Sequence, residues 1–305
     1  MLLYADMLLF MKPPRPDADA PFPIIEAFGY SALASTNEAR KAWAERTCPF
    51  AGTACEKFKQ YKYGYCSVTY AAQDHMGSQR TYAVCDHRLD GDPVARAIAD
   101  RFGSTPGIQL ASEVVLDKPK TSFDYVAYAQ ERDLITDAIA IETQAIDIRG
   151  GGVGPAWNAW QDGKLSQWRD YFSIAARSKN RKDVVAYGVN MANIYKRLGL
   201  QVAEKGAYLK RIGVPFYVVM QDLPFLYLRR RIPFSAVDGD WDITFMTSEY
   251  TGKIGRNGAM EFSHCQTVRT TLPNYLAALN RGSRSVGDDR ADFLERVKRK
   301  ANLRK

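Results

Sequence analysis

Nothing in the sequence is built to cross a membrane. No apolar run among the 305 residues is long enough to span a bilayer. The stretch Met1 to Phe10 is apolar, but no basic region precedes it and Asp6 interrupts it, so it does not read as a secretory signal. A cytoplasmic, bacterial setting with no membrane partner is the expectation. Internal repeats and low-complexity tracts are missing too, which excludes a repeat architecture. The cluster Gly150-Gly151-Gly152-Val153-Gly154-Pro155 lacks the Lys-Ser/Thr that follows a nucleotide-phosphate loop. It reads instead as a flexible turn near a ligand backbone.

What is present describes a globular protein, with 46% hydrophobic and 25% charged residues. The length suffices for a sizeable core and two subdomains, drawn at residues 1–90 and 91–305. A formal charge of +8 and a pI near 9.1 favour a polyanionic partner. The distribution sharpens this. Between Arg177 and Arg211 there are nine Lys or Arg against two acids. Arg229-Arg230-Arg231 and the segment from Arg296 to Lys305 are also basic. One such run is usually a solvated face, but three together tilt toward nucleic acid.

Along the chain, Lys12 to Pro23 reads as a proline-rich, extended arm. Ser35-Thr36-Asn37-Glu38 offers N-cap chemistry for a helix to about Glu45, and Asp92-Pro93 opens one to about Phe102. Ile108 to Leu116 is ambiguous between helix and strand, with Glu113 as a further acid. Trp157, Trp160 and Trp168 read as packing residues. Helical spacing from Val184 to Leu198 predicts an amphipathic helix over the sheet, ending at Gly199, with a second helix to about Arg211. Val214 to Met220 reads as a buried strand, Phe225 to Tyr250 as short aromatic strands, and Asp288 onward as a final helix.

Cys48, Cys55, Cys66 and Cys85 fall close together, while Cys265 lies far away. In a cytosolic protein such a group reads as a metal site before it reads as disulfides. Four thiolates suit tetrahedral zinc or iron and leave no open position, so the site would be structural. The spacing is not that of a standard finger, and buried free thiols are the alternative. His75 and His87 are substitute ligands. Within this box, Lys57-Phe58-Lys59-Gln60-Tyr61-Lys62-Tyr63-Gly64-Tyr65 interleaves bases with aromatics. Lys57, Lys59 and Lys62 are candidates for DNA phosphates, although a half-buried strand with a solvated face would look the same.

The most informative stretch is Ala138-Ile139-Ala140-Ile141-Glu142-Thr143-Gln144-Ala145-Ile146-Asp147-Ile148. It is an apolar strand pattern carrying polar groups that a buried strand should not hold. Alternation puts Glu142 and Gln144 on one face and Asp147 on the other. Upstream, Phe123-Asp124-Tyr125-Val126-Ala127-Tyr128 reads as a second strand, joined by a turn-rich linker from Gln130 to Asp137. The two can pair antiparallel, and Asp124 and Glu142 can then hold one hard divalent cation through oxygens. That is the arrangement of a metal-dependent phosphodiesterase. A solvated edge or a capping acid is the plain alternative.

The four-cysteine box, Asp124 and Glu142-Thr143-Gln144 together resemble the NotI-type restriction endonucleases, which include the shorter EagI-like enzymes. The resemblance covers roughly Cys48 to Met220. It implies an α/β (α+β, mixed-sheet) PD-(D/E)xK nuclease core with glutamine in place of the usual lysine, plus an N-terminal four-cysteine metal-binding subdomain. It implies Asp124, Glu142 and Gln144 as catalytic residues, with Mg2+ on Asp124 and Glu142. Cys48, Cys55, Cys66 and Cys85 would hold structural iron or zinc. The implied activity is type II, site-specific hydrolysis of double-stranded DNA at a palindrome containing CGGCCG. The enzyme would act as a homodimer, within a restriction–modification system whose methyltransferase shares the site but need not bind. Guanine-rich targets favour Arg or Lys in the major groove, and Arg149, Arg229, Arg230, Arg231 and Arg256 are the candidates. Two readings of other classes stand beside it: a sequence-specific DNA-binding regulator with a structural four-cysteine site and no catalysis, and a redox or metal sensor whose cysteines are the working part.

Overall fold

The structure is a computed structural model and describes residues 22–70, 80–118, 120–150, 152–180, 187–282 and 290–302. The proline-rich arm up to residue 21, His75 and the expected helix start at Asp288 lie outside the described residues. The first part of the chain carries β1 (Ile24–Ala27), β2 (Tyr30–Ser31), α1 (Asn37–Glu45), β3 (Thr47–Cys48), β4 (Thr53–Ala54), α2 (Glu56–Tyr61), β5 (Tyr65–Tyr70) and β6 (Arg80–Ala83). Next come α3 (Asp92–Phe102), β7 (Gln109–Asp117), β8 (Lys120–Glu131), β9 (Leu134–Gln144), β10 (Ile148–Gly150), α4 (Gly154–Gln161), α5 (Trp168–Arg177) and β11 (Tyr187–Val189). The chain continues with α6 (Gly199–Ile212), β12 (Phe216–Gln221), α7 (Asp222–Arg231), β13 (Ile243–Ile254), β14 (Met260–Thr270), α8 (Leu272–Gly282) and α9 (Arg290–Asn302).

The fold is mixed α and β around a six-stranded sheet of order β14-β13-β12-β9-β8-β7. β9, β12 and β13 run parallel, while β7, β8 and β14 pair antiparallel with their neighbours. Central parallel strands are covered on both faces and so read as unbroken apolar runs; all six residues of β12 are buried. Tyr217 and Val219 join Ile139 and Ile141 against Val94, Ala97 and Phe102 of α3. Phe216, Val218 and Met220 pack in the opposite core with Val202 and Leu209 of α6, Phe225 and Leu228 of α7, and Tyr275 of α8. Each such side chain contributes roughly 1.5–3 kcal/mol on leaving water. β1, β2, β5 and β6 form a smaller sheet of order β2-β1-β5-β6. An aromatic cluster of Phe28, Tyr65, Trp157 and Trp160 joins it to α4.

α1 and α3 form where their capping residues predict. The Thr36 hydroxyl accepts from Ala39 N–H, and Pro93 occupies the first turn of α3. The ambiguous segment near Glu113 is strand β7. Other expectations need correction. Lys57 to Tyr61 is helix, not strand, and ends at Lys62 with φ +62°. Phe225 to Arg231 is also helix: Asp222 sits at the positive end of the dipole and Arg229, Arg230 and Arg231 at the negative end. The expected helix from Val184 instead contains strand β11, paired with β10. Helix resumes at Met191 and passes through a π turn, Ile194–Leu198, into α6. The linker from Gln130 to Asp137 is a tight hairpin, because Glu131 already pairs with Leu134.

β9 stops at Gln144, so the strand expected to run on to Ile148 is broken. Ala145 N–H goes to Asp86 Oδ1 at 2.6 Å and Ile146 N–H to Ala83 O at 2.9 Å. Asp147 is therefore not on the opposite face of a strand. It is exposed, its side chain meets Asn193 Nδ2 and its carbonyl accepts Asn190 N–H at 2.7 Å. The Gly150–Gly154 cluster also differs from the expected ligand-side turn. Gly154 begins α4, where an added Cβ would lie 2.8 Å from the Tyr63 hydroxyl, so protein packing demands the glycine.

The small sheet is tied to the β13–β14 hairpin by a buried ion pair. Arg88 Nε donates to Glu26 Oε2 at 2.8 Å, and Glu26 also accepts from Ser67, Tyr250 and Met260 N–H. Replacing Arg88 with alanine strands a fully buried carboxylate, which costs about 3–5 kcal/mol. Urea unfolding of Arg88→Ala should show that loss. A change no larger than for the exposed Lys59→Ala would contradict this account of the pair.

Candidate active site and four-cysteine cluster

The β8–β9 register pairs Tyr125 with Ile141, which sets Asp124 opposite Glu142 on one face of the sheet. Asp124 Oδ2 accepts from Thr143 N–H at 2.8 Å and from the Thr143 hydroxyl at 3.1 Å. Glu142 is buried and meets an unforeseen partner, Lys205 of α6, with Nζ 2.5 Å from Oε2. Lys205 is itself buried and lies 5.6 Å from the Phe123 ring centroid. Asp86 joins the same strand end through Ala145 N–H.

The electrostatics record this crowding. Burial first, then Asp124 and Asp86, push the Glu142 carboxyl up to about 7, against the opposing pull of Lys205. The Asp86 carboxyl is also raised, by the protein packed around it and then by Asp124, while Ala145 N–H and Arg197 act the other way. Three mutually repelling carboxylates thus share one contacting lysine. Magnesium takes hard oxygen ligands. The donor chemistry of this oxygen-rich, electron-rich group fits such an ion, which Asp124 and Glu142 could hold.

Gln144 lies two residues past Glu142, but its amide Nε2 turns back to Ala145 O at 2.5 Å. Glu113 is exposed with φ +52°, between the pairs Ser112–Tyr125 and Val114–Phe123. It has the register position of a neighbour to Asp124, but among the described residues no hydrogen bond draws it inward.

The four cysteines gather as their clustering in sequence suggests. Cys66 feels Cys85 and Cys48, Cys85 feels Cys48, and Cys48 feels Cys55. Backbone N–H groups of Ala51 and Phe50 point at the Cys48 sulfur and that of His87 at the Cys85 sulfur. Gly29 N–H donates to Cys66 Sγ at 3.1 Å. Such donors stabilise thiolate, whereas burial raises Cys48 and Cys66 and pushes Cys85 up to about 12. A metal that displaces the protons reconciles the two, so the donor set fits zinc or iron. Among the described residues, no group of three His, Cys, Asp or Glu is placed so that it could hold a metal ion as it stands. His87 is turned to Asp90, with Nδ1 2.6 Å from Oδ2.

The expected DNA contacts divide. Lys57 is not available to a phosphate, because its Nζ points inward to Tyr65 O and Val84 O. Lys59, Lys62 and Arg256 are exposed. Arg229 and Arg231 lie over Phe234 and Tyr227, so the triplet caps a helix instead of edging a strand. Arg149 pairs through its backbone with Gly188. The basic run from Arg177 to Arg211 is not one solvated face either: Lys205 is spent on Glu142 and Lys210 on Asp242 at 2.7 Å. Lys205, Asp86 and Arg197 were not singled out in the sequence. Lys205 left a signal, since Leu198, Val202 and Leu209 are buried at helical spacing and it takes the intervening position.

No family model matches the chain, and no curated protein is significantly similar to it.

Two outcomes follow from this geometry. In magnesium-free buffer, the raised Glu142 carboxyl favours the fold fully below its unfolded value of about 4.5. That contribution is lost as pH rises through about 7. Wild-type stability measured against Glu142→Gln should fall across this window, and parallel profiles would exclude the shift. Separately, protein as purified should carry about one zinc or iron per chain, and Cys66→Ser should lose it. Elemental analysis of folded wild type showing neither metal would rule out the four-cysteine site.

Proposed function

We propose that the chain is a type II restriction endonuclease, a magnesium-dependent hydrolase of double-stranded DNA. The observation carrying this reading is the facing of Asp124 and Glu142 across β8 and β9, with Lys205 from the covering helix and Asp86 at the same strand end. The order α3, β7-β8-β9, α6, β12 accommodates the PD-(D/E)xK core implied by the NotI- and EagI-type resemblance. That resemblance also contributes the CGGCCG-containing palindrome, and a symmetric target implies a homodimer. The four-cysteine cluster would be its structural iron or zinc site.

A bound Mg2+ supplies Lewis-acid polarisation of the phosphate and a more acidic water. The remaining work falls to the chain. Asp124 and Glu142 hold the ion, and the two bonds from Thr143 fix the Asp124 carboxylate before substrate arrives. Lys205 balances the carboxylates and sets an ammonium where negative charge develops on phosphate. Arg197, exposed and acting on Asp86, suits a phosphate oxygen. Gln144 spends one amide N–H on Ala145 O and keeps its second N–H and its Oε1 to bind phosphate or orient water.

The test is single-turnover cleavage and a gel shift on one duplex containing CGGCCG. Wild type with Mg2+ should cut both strands. Asp124→Ala and Glu142→Ala should each cut about a thousandfold slower or less while binding persists, since metal holders act on the chemical step. Asp147→Asn should keep cutting. Binding without cutting by wild type would instead favour a DNA-binding regulator.

A further inference from the structure

We infer that Lys57 is the built-in counter-ion of the four-cysteine site, placed to balance the charge of a thiolate–metal complex. This rests on the metal-site reading above and adds a residue that supplies no ligand.

The Lys57 side chain turns inward from α2. Its Nζ donates to Tyr65 O at 3.1 Å and to Val84 O at 3.0 Å. Those carbonyls belong to the residues directly before Cys66 and Cys85, and Cys55 lies two residues ahead of Lys57. The ammonium is thus anchored to the residues next to two of the four cysteines, on a helix that begins just after a third. Removal from water disfavours the ammonium most; against it act Cys85, Cys66 and Cys55, in that order, with Asp86 contributing less than any of them. The Tyr65 ring closes a further side, 4.1 Å from Nζ to its centroid.

Two carbonyls satisfy hydrogen bonds of an ammonium but not its charge, and an unbalanced charge on a half-buried side chain turned in from water is costly. Among the described residues no carboxylate pairs with Lys57. Neutral thiols do not balance it either. Four thiolates exceed the charge of zinc or ferrous iron by two and of ferric iron by one. One ammonium offsets part of that surplus in the first case and all of it in the second. The lysine and the complex thus stabilise each other, and groups just outside a metal's ligands commonly set its affinity by ten- to a hundredfold.

The experiment uses full-length wild type, Lys57→Met, Lys57→Gln and Lys57→Arg. Zinc affinity is measured by competition with a chromophoric chelator at fixed pH, and thermal unfolding is followed with and without zinc. Lys57→Met and Lys57→Gln should bind zinc at least about tenfold more weakly, and Lys57→Arg should lie close to wild type. The loss in Tm for the uncharged variants should appear with zinc and vanish or reverse without it. Lys57→Gln keeps a donor without charge. If it matches wild type, or if Tm falls equally with and without zinc, the lysine only braces two carbonyls and the inference is overturned. Wild type that binds neither zinc nor iron overturns the metal-site reading as well, whereas equal zinc affinity in wild type and Lys57→Met overturns this inference alone.

Discussion

One buried ammonium, that of Lys205, stands against carboxylates that outnumber it, and the geometry of the candidate site follows from that imbalance. Holding Lys205 over β9 requires α6 to cross this face, which its Val202 and Leu209 secure in the core. Holding Asp124 opposite Glu142 requires the β8–β9 register. A buried ion pair is weak support for stability, since apolar residues of similar volume often do as well. Glu142 and Lys205 are both buried, Lys205 on a helix whose Val202 and Leu209 lie in the core. Their presence therefore counts toward chemistry, as perturbed buried carboxylates generally do.

The four-cysteine cluster and the carboxylates are not separate devices. Ala83 and Asp86 flank Cys85 at close range, and both bind the chain where β9 ends. Gln221, at the end of β12, accepts Ala83 N–H at 2.7 Å and donates to Thr81 O at 2.9 Å. The segment around Cys85 is thus stitched to two central strands. Whatever fixes Cys85 also fixes Asp86, and with it the charge that Glu142 experiences.

The sequence was most legible where one signal dominated. β12 and the inner half of β9 are apolar runs, α1 and α3 have capping residues, and the pairing of Asp124 with Glu142 follows from two strands and one turn. It failed where two patterns coincide. Lys57 to Tyr61 interleaves bases with aromatics and Phe225 to Tyr227 is apolar and aromatic, compositions that strands also use, yet both segments are helical; in the second, Asp222 in the first turn and three arginines in the last complement the helix dipole. The end of β9 was misread because Ala145 and Ile146 stay apolar. What stops the strand is a pair of bonds from residues some sixty positions upstream, which local pattern cannot report. Lys205 was counted in a basic run although its helical position is a core position.

That miscount bears on the reading of net charge. Arg88, Arg101, Lys205, Lys210 and Arg269 are each matched by an acid. Matched pairs remove one charge of each sign, so they leave the surplus of +8 intact while reducing the side chains that carry it. Lys57, turned inward, takes one positive charge from the surface without taking an acid. The remaining surplus is borne by exposed groups such as Lys59, Lys62, Arg197 and Arg256, and by the exposed Lys298, Arg299 and Lys300 of α9. A carboxylate cluster repels a polyanion at close range. DNA would come to it only if bases nearby outweigh that repulsion, and a metal ion then offsets the rest. Among these exposed bases, Arg197 acts on Asp86 and so bears directly on the carboxylate group.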